Sequence, residues 1–491
     1  MLASPALADV TADDVWANLQ AQARATGGSL DATLSRTGET LTVDGVQIDW
    51  TLPEGIGQVT LTTPGYAMIE QGDGTVQIIY PTTQSYVLDM LIDGERASVE
   101  VGLETAASVT TASGDPGDIS YGAQMSSDMS GYFQVASEDE GPIRFDFDLA
   151  GGGMDFSYRV TEGPLLTIAG QSTATPATFD IQMAMGPDVT GVVAGEVGAS
   201  NSQFEIRLPA DGFDLLDVAA ALRAGLLFDM TSVMESNSYS TRVFLYGQPF
   251  SEEERWSGRT ENRLALDADR LIYDLTGADT AIMMRGENDL DLPVDIAFEA
   301  AAASVHIDVP VSGRDSPQDF DLRINAEGLR MGAGLWALFD PAKAIPRDPA
   351  TFGIDLSGTV LNRVDLLDFR QFMGDVSRLP EPELLSLTLS RFIMTGAGTE
   401  TTGSGAFTFD NSDMESFDGL PRPEGRADFE ASGIEGLIET LVSMGVMTQD
   451  DAFGARMGLG MVTDMVGDDS YRSEVEINAE GHVIVNGQRL R

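Results

Sequence analysis

Ile143-Arg-Phe-Asp-Phe-Asp-Leu149 decides the reading of the fold. Apolar and charged side chains alternate strictly, and in an extended chain a period of two sends the two sets to opposite faces. Phe204-Glu-Ile-Arg-Leu208, Val305-His-Ile-Asp-Val309 and Phe320-Asp-Leu-Arg-Ile324 repeat the pattern. Gly-Asp, Asp-Gly and Pro-Gly pairs punctuate the runs, as antiparallel meanders require. One wet face per strand excludes the doubly covered sheet of a parallel α/β core. The fold class is therefore mainly β, with long curved antiparallel sheets in two related halves.

Outward from these strands, the composition agrees. The chain has 491 residues, 42% of them apolar, with 53 glycines and 21 prolines. That is too long for one ordinary core and too apolar for disorder. The 78 acidic residues against 28 basic ones give a formal charge of −50. Lys343 is the single lysine. Such a surface repels phosphate backbones and anionic lipid, so nucleic acid is excluded as a partner. The plain account of the acid surplus is a solvated face suited to a salty medium.

Ala6-Leu7-Ala8 before Asp9 has the form of an export cleavage site, so residues 1–8 read as the remnant of a signal peptide. No cysteine is present, so stability rests on burial and strand pairing rather than disulfides. No run of 18 apolar residues appears, and no transmembrane segment is expected. The halves divide near residue 250, as 9–250 and 251–491.

Helical periodicity appears first at Thr11 to about Arg24. There Thr11 and Asp14 have capping-box spacing, and Val15, Trp16, Leu19 and Ala23 share a face. It returns near Phe213–Asp229, near 335–373 where Pro341, Pro346 and Pro349 interrupt it, and near 434–466. In each of these three places a charged alternating strand leads to a glycine, an apolar helix and a return strand (Val243–Tyr246, Phe352–Leu356 and Val475–Ile477). The reading is a degenerate strand–helix–strand repeat in which short helical insertions cover the concave face of the sheets.

The chemistry of catalysis is sparse. His306 and His482 both fall on the polar phase of predicted strands, so no base stands beside a nucleophile. The nucleophile elbow, the Walker lysine and the third glycine of a dinucleotide loop are missing. Zinc lacks its usual ligands. Carboxylate pairs could cleave glycosides, but with 78 acids some pair always stands at a fitting distance. Gly72-Asp-Gly74, Gly114–Asp118 and Ser137-Glu-Asp-Glu140 offer calcium-type oxygens, without the spacing of a dedicated loop. Methionines gather late, at Met444, Met447, Met457, Met461 and Met465, where they pack a loose core or line an apolar groove.

Leu335-Trp-Ala-Leu-Phe-Asp-Pro341 with Pro346-Arg-Asp-Pro349, Ile354-Asp-Leu-Ser-Gly358, Val475-Glu-Ile-Asn-Ala-Glu-Gly481 and Val485-Asn-Gly-Gln-Arg-Leu490 resemble the domain of unknown function 2125 family. The resemblance runs over most of the chain. It implies a Gram-negative envelope protein, periplasmic or on the inner side of the outer membrane, and brings no catalytic residues. More distantly the chain is similar to AsmA-like envelope proteins, with their long sheets and apolar concave faces.

The sequence thus reads as a non-enzymatic periplasmic envelope protein that binds an apolar ligand or assists envelope assembly. Its partner is lipid or an envelope protein, and it uses no cofactor and no metal. Trp336, Phe339, Leu437, Leu441, Met457 and Met461 are the expected groove lining. Two alternatives stay open: an interaction protein without ligand, and a carboxylate-pair hydrolase or calcium-dependent carbohydrate binder.

Overall fold

The computed structural model describes residues 9–92, 94–106, 108–126, 128–137, 142–185, 188–287, 293–373 and 376–491. The signal-peptide remnant and Glu138-Asp-Glu140 of one calcium-type loop lie outside them. The chain is mainly β and antiparallel, with few short helices. It divides into two units. Unit 1 runs to Arg255 and takes in Glu261–Ala268 and Leu366–Val376, and unit 2 holds Trp256–Thr260, Asp269–Asp365 and Ser377–Arg491.

Unit 1 opens on α1 (Ala12–Ala25), capped as the Thr11/Asp14 spacing predicts: each side chain bonds the other's backbone N–H. Its strands are β1 (Ser29–Thr37), β2 (Thr40–Thr51), β3 (Gly57–Thr63), β4 (Tyr66–Glu70), β5 (Val76–Ile79), β6 (Thr83–Ile92), β7 (Glu95–Thr105), β8 (Val109–Asp115) and β9 (Asp118–Ser126). There follow β10 (Met129–Ser137), β11 (Ile143–Ala150), β12 (Gly153–Thr161), β13 (Leu165–Ala174), β14 (Ala177–Ala184), β15 (Val189–Val197) and β16 (Ser200–Pro209). Then come α2 (Val218–Arg223), β17 (Leu227–Met234), β18 (Asn237–Leu245), β19 (Gln248–Ser257) and β20 (Thr260–Leu266).

The sheet forks at β2. One edge of β2 pairs with β1, and the other is shared between β4, along Thr40–Val43, and β3, along Val46–Thr51. From β3 one arm continues through β6, β7, β10, β11, β14, β15 and β18. From β4 the other continues through β5, β8, β9, β12, β13, β16 and β17. Successive hairpins therefore go to opposite arms. Gly45, in the left-handed region at φ +61°, forms a bulge where β2 has one more residue than β1. The extra residue keeps Leu41 and Val43 on the same face as Val46, Ile48 and Trp50, so both arms inherit their apolar face from one strand.

α1 covers the fork and the β4 arm. Val15 and Trp16 join Leu41, Val43, Met68, Ile78, Ile119, Tyr121, Val160 and Leu166 in one buried cluster. Polar anchors fix the helix in place: buried Asn18 donates to Glu162 at 2.7 Å and accepts from the Tyr121 hydroxyl at 2.9 Å, while Ala12 N–H donates to Glu70 at 3.0 Å.

α2 is shorter than its periodicity predicts. Gly225 (φ +106°) ends the turn, and Leu227 begins β17, which pairs back on β16. The return strand is thus β17 and not Val243–Tyr246, most of which lies in β18. Residues 367–370 pack beside α2: Ala219 N–H donates to Leu367 O, Phe369 N–H to Leu216 O, and Arg370 bridges Asp214, Asp217 and Asp368.

Unit 2 is a plain meander of β21 (Arg270–Glu287), β22 (Pro293–Pro310), β23 (Gln318–Met331), β24 (Ala350–Leu361), β25 (Glu383–Gly396), β26 (Thr399–Asp410) and β27 (Arg422–Ser432). α3 (Ala333–Phe339) lies between β23 and β24. After β27 come α4 (Ile434–Ser443), α5 (Gln449–Val462), β28 (Asp464–Gly467), β29 (Ser470–Ile477) and β30 (Val483–Val485), with β29 pairing both β27 and β30.

Helix-like spacing over 335–373 yields only α3 and one 3₁₀ turn, Phe369–Phe372, because Pro341, Pro346 and Pro349 break the rest and residues 350–361 return as β24. Since meander connections alternate ends, α3, the β25–β26 turn and the α4–α5 pair all emerge at one end. Pro346 and Gly433 both lie against Gly398 there. The two units thus differ in connectivity, one forked and one linear, where the sequence suggests related halves.

Candidate functional site

Strand register shows what each sheet face presents. In the β3 arm, Tyr86, Val101, Phe133, Phe145 and Met183 stand directly opposite one another on successive strands. Beside them run Leu103, Gly131, Phe147, Ile181 and Val193. None of the side chains in these two rows is buried. In the β4 arm, Ile119 and Val160 lie under α1, and their row continues through Ile168 and Ile206 to half-buried Phe228.

Unit 2 also carries an apolar row along one sheet face. Leu275, Val305, Ile324, Ile354, Phe392 and Phe429 share one row, with Gly403 between the last two. A Cβ on Gly403 would run into the Phe429 ring, so glycine there lets Phe392 and Phe429 meet edge to face at 6.4 Å. Ile324 and Met394 are exposed. The opposite face carries a charge ladder of Asp274, His306, Arg323, Asp355 and Arg391 in register. His306 Nδ1 lies 2.5 Å from Asp274, a polar-face position as its strand phase predicts. His482 instead precedes β30 and donates its N–H to Asn478 at 3.0 Å.

The six residues expected to line a groove fall on three helices. Trp336 and Phe339 touch on α3, ring centres 5.0 Å apart, and Arg347 stacks on Trp336 at 4.7 Å. That cluster is organised by Asp340, fully buried at the end of α3. Burial alone would raise its pKa, but N–H groups of Ala344 (2.8 Å) and Ile345 (3.1 Å) and the Arg347 guanidinium outweigh this and hold it below the usual carboxylate range. The Leu335–Pro341 and Pro346–Pro349 motifs therefore read as a loop-locking device.

Leu437 and Leu441 are half-buried, one turn apart on α4. Met457 and Met461 stand in solvent on α5, 58% and 60% exposed. α4 and α5 are tied by Arg456, whose Nε lies 2.9 Å from Glu435 and holds that carboxyl below its ordinary value. Buried side chains in α3, α4 and α5 amount to Ile438 and Ala452.

The open sheet rows are the residues that sequence reasoning passed over, although Ile143–Leu149 shows their apolar phase. In two of the acidic loops a carboxylate is engaged locally: Asp73 accepts from the Thr75 N–H and hydroxyl, and Asp118 pairs with Arg159. Among the described residues no helix is long and apolar enough to cross a membrane.

Fold and surface together define a class: antiparallel proteins whose sheets carry one apolar and one charged face. Residues 243–485 match the family described as uncharacterized protein conserved in bacteria (DUF2125), and the chain carries a domain of that family over this stretch. The match covers the later half, less than the motifs alone suggest. No curated protein and no solved structure matches the chain.

Proposed function

We propose that the protein is a non-enzymatic component of the cell envelope that holds an acyl chain, or an apolar ligand like it, against the open apolar faces of its sheets. One observation carries this reading: rows of Phe, Ile, Val and Leu run in register strand after strand, and at Phe145, Phe147, Ile181 and Val193 the side chains are only half-buried among the described residues. A sheet's apolar face is normally covered by a second layer, and extended uncovered apolar surface marks a binding site. Roughly ten methylenes fully covered would supply about 8 kcal/mol, in the micromolar range. The acid surplus and the Ala6-Leu7-Ala8 start support a periplasmic setting, and the likeness to AsmA-like envelope proteins supports the ligand class by fold analogy alone.

Organic extraction of the purified full chain followed by mass spectrometry is expected to release acyl lipid. Ile181→Asp, which sets a charge in the middle of a row, should lower the yield several-fold with the far-UV spectrum unchanged. If no lipid is released and a fluorescent fatty acid does not partition onto the chain, the reading fails.

A further inference from the structure

The α5 helix has an apolar face that stands exposed among the described residues. Phe453, Met457 and Met461 recur every fourth residue, which stacks them along one side of the helix. They are 66%, 58% and 60% exposed, and Met465 just beyond the helix is 70% exposed. Such a stripe on a chain this hydrophilic calls for a partner. The three glycines of α5 sharpen the point. Gly454, Gly458 and Gly460 would each meet open space with a Cβ, yet each costs the helix up to about 1 kcal/mol relative to alanine. Gly454 and Gly458 flank the stripe and let another backbone come close.

Charge says what that partner is. Between Ile434 and Asp469 seven carboxylates stand against one cation, Arg456, and that cation is paired with Glu435. Asp450 lies one turn ahead of Phe453 on the same side of α5, and Asp464 follows the helix end. Both are exposed. The stripe thus ends in carboxylates at both extremities. We propose that α5 docks a cationic amphipathic helix of a partner protein, whose apolar side packs on Phe453, Met457 and Met461 and whose Lys or Arg residues meet Asp450 and Asp464. Methionine suits this use, since its flexible thioether adapts to differently shaped apolar partners. An anionic bilayer is disfavoured by the same carboxylates.

The test uses the full chain and a labelled synthetic Lys/Leu amphipathic helix of about 18 residues, read by fluorescence anisotropy. A scrambled isomer of equal charge but no apolar side is the control, because a chain of charge −50 attracts any polycation. The amphipathic peptide is expected to bind saturably and about tenfold more tightly than its isomer. Met457→Asp with Met461→Asp should abolish that preference, while Asp450→Asn with Asp464→Asn should weaken binding several-fold and flatten its salt dependence. These side chains are exposed, so the variants should fold, which circular dichroism checks. Equal binding of peptide and isomer overturns the proposal, as does a preference that survives the double methionine change. Stripe-dependent sedimentation with phosphatidylcholine vesicles, or stripe-dependent self-association, with no peptide preference would assign the face to a membrane or a second copy instead. The outcome is independent of whether the sheet faces hold lipid.

Discussion

α1 and α5 are both fourteen residues long, and both open on a Thr/Asp capping box, Thr11 with Asp14 and Thr448 with Asp451. There the likeness ends. α1 buries Val15 completely and Trp16 almost so, whereas α5 buries only Ala452. The caps are local and depend on four residues, so sequence dictates them equally in both. Burial depends on whether a sheet face receives the helix, and that is settled far away in the chain. Glu162, 144 residues beyond Asn18, helps to hold α1 down. The lesson is that start signals fix where a helix begins and say nothing about what it covers.

The largest expected effect concerns the cluster beneath α1. Tyr66, Tyr80, Tyr121 and Tyr158 all have raised phenol pKa values, chiefly from burial, with Tyr80 pushed up to about 12. A raised folded-state value contributes stability that is complete below the unfolded value, near 10, and is lost as pH climbs through the folded one. Melting temperature should therefore hold steady to about pH 9.5 and fall steeply above about 10. A flat profile through about pH 12 would show that the tyrosines under α1 are wetter than the geometry says.

Trp16→Ala comes next, with an expected loss of roughly 3–5 kcal/mol in urea unfolding. A loss below about 1 kcal/mol would erase the contrast with α5. The caps sharpen it further. Thr11→Ala should cost about 1 kcal/mol of global stability, whereas Thr448→Ala should cost α5 a similar amount locally, visible as faster amide exchange over residues 449–462 with little change in the melting curve. Smallest is Met457→Ala, expected to move stability by no more than about 0.5 kcal/mol, since Met457 is mostly exposed.

What the sequence made legible was the local part. The period of two placed strands at Ile143–Leu149, Phe204–Leu208, Val305–Val309 and Phe320–Ile324, and the structure has strands there. Thr11 and Asp14 announced α1. The end of α2 was hidden because Leu226 and the residues after it keep an apolar spacing that suits either a helix or a half-buried strand. Pairing was hidden as well: β7 meets β10 across the β8–β9 hairpin, and no local signal distinguishes that from a meander. For the same reason the candidate surface was sought on apolar helices, at Trp336 or Met457. Alternation tells which side chains share a face but not whether anything lies over it, so Phe145 and Phe147 mark an apolar phase without saying what meets it.

The weaving of unit 1 also bears on how such a molecule can change length. Because consecutive hairpins land on alternate arms, gaining or losing two of them extends or trims both walls by the same amount and leaves the fork at Gly45 untouched. Duplication of a hairpin pair is thus a way for evolution to resize the unit without redesigning it, whereas a single hairpin more or less would leave one wall longer than the other.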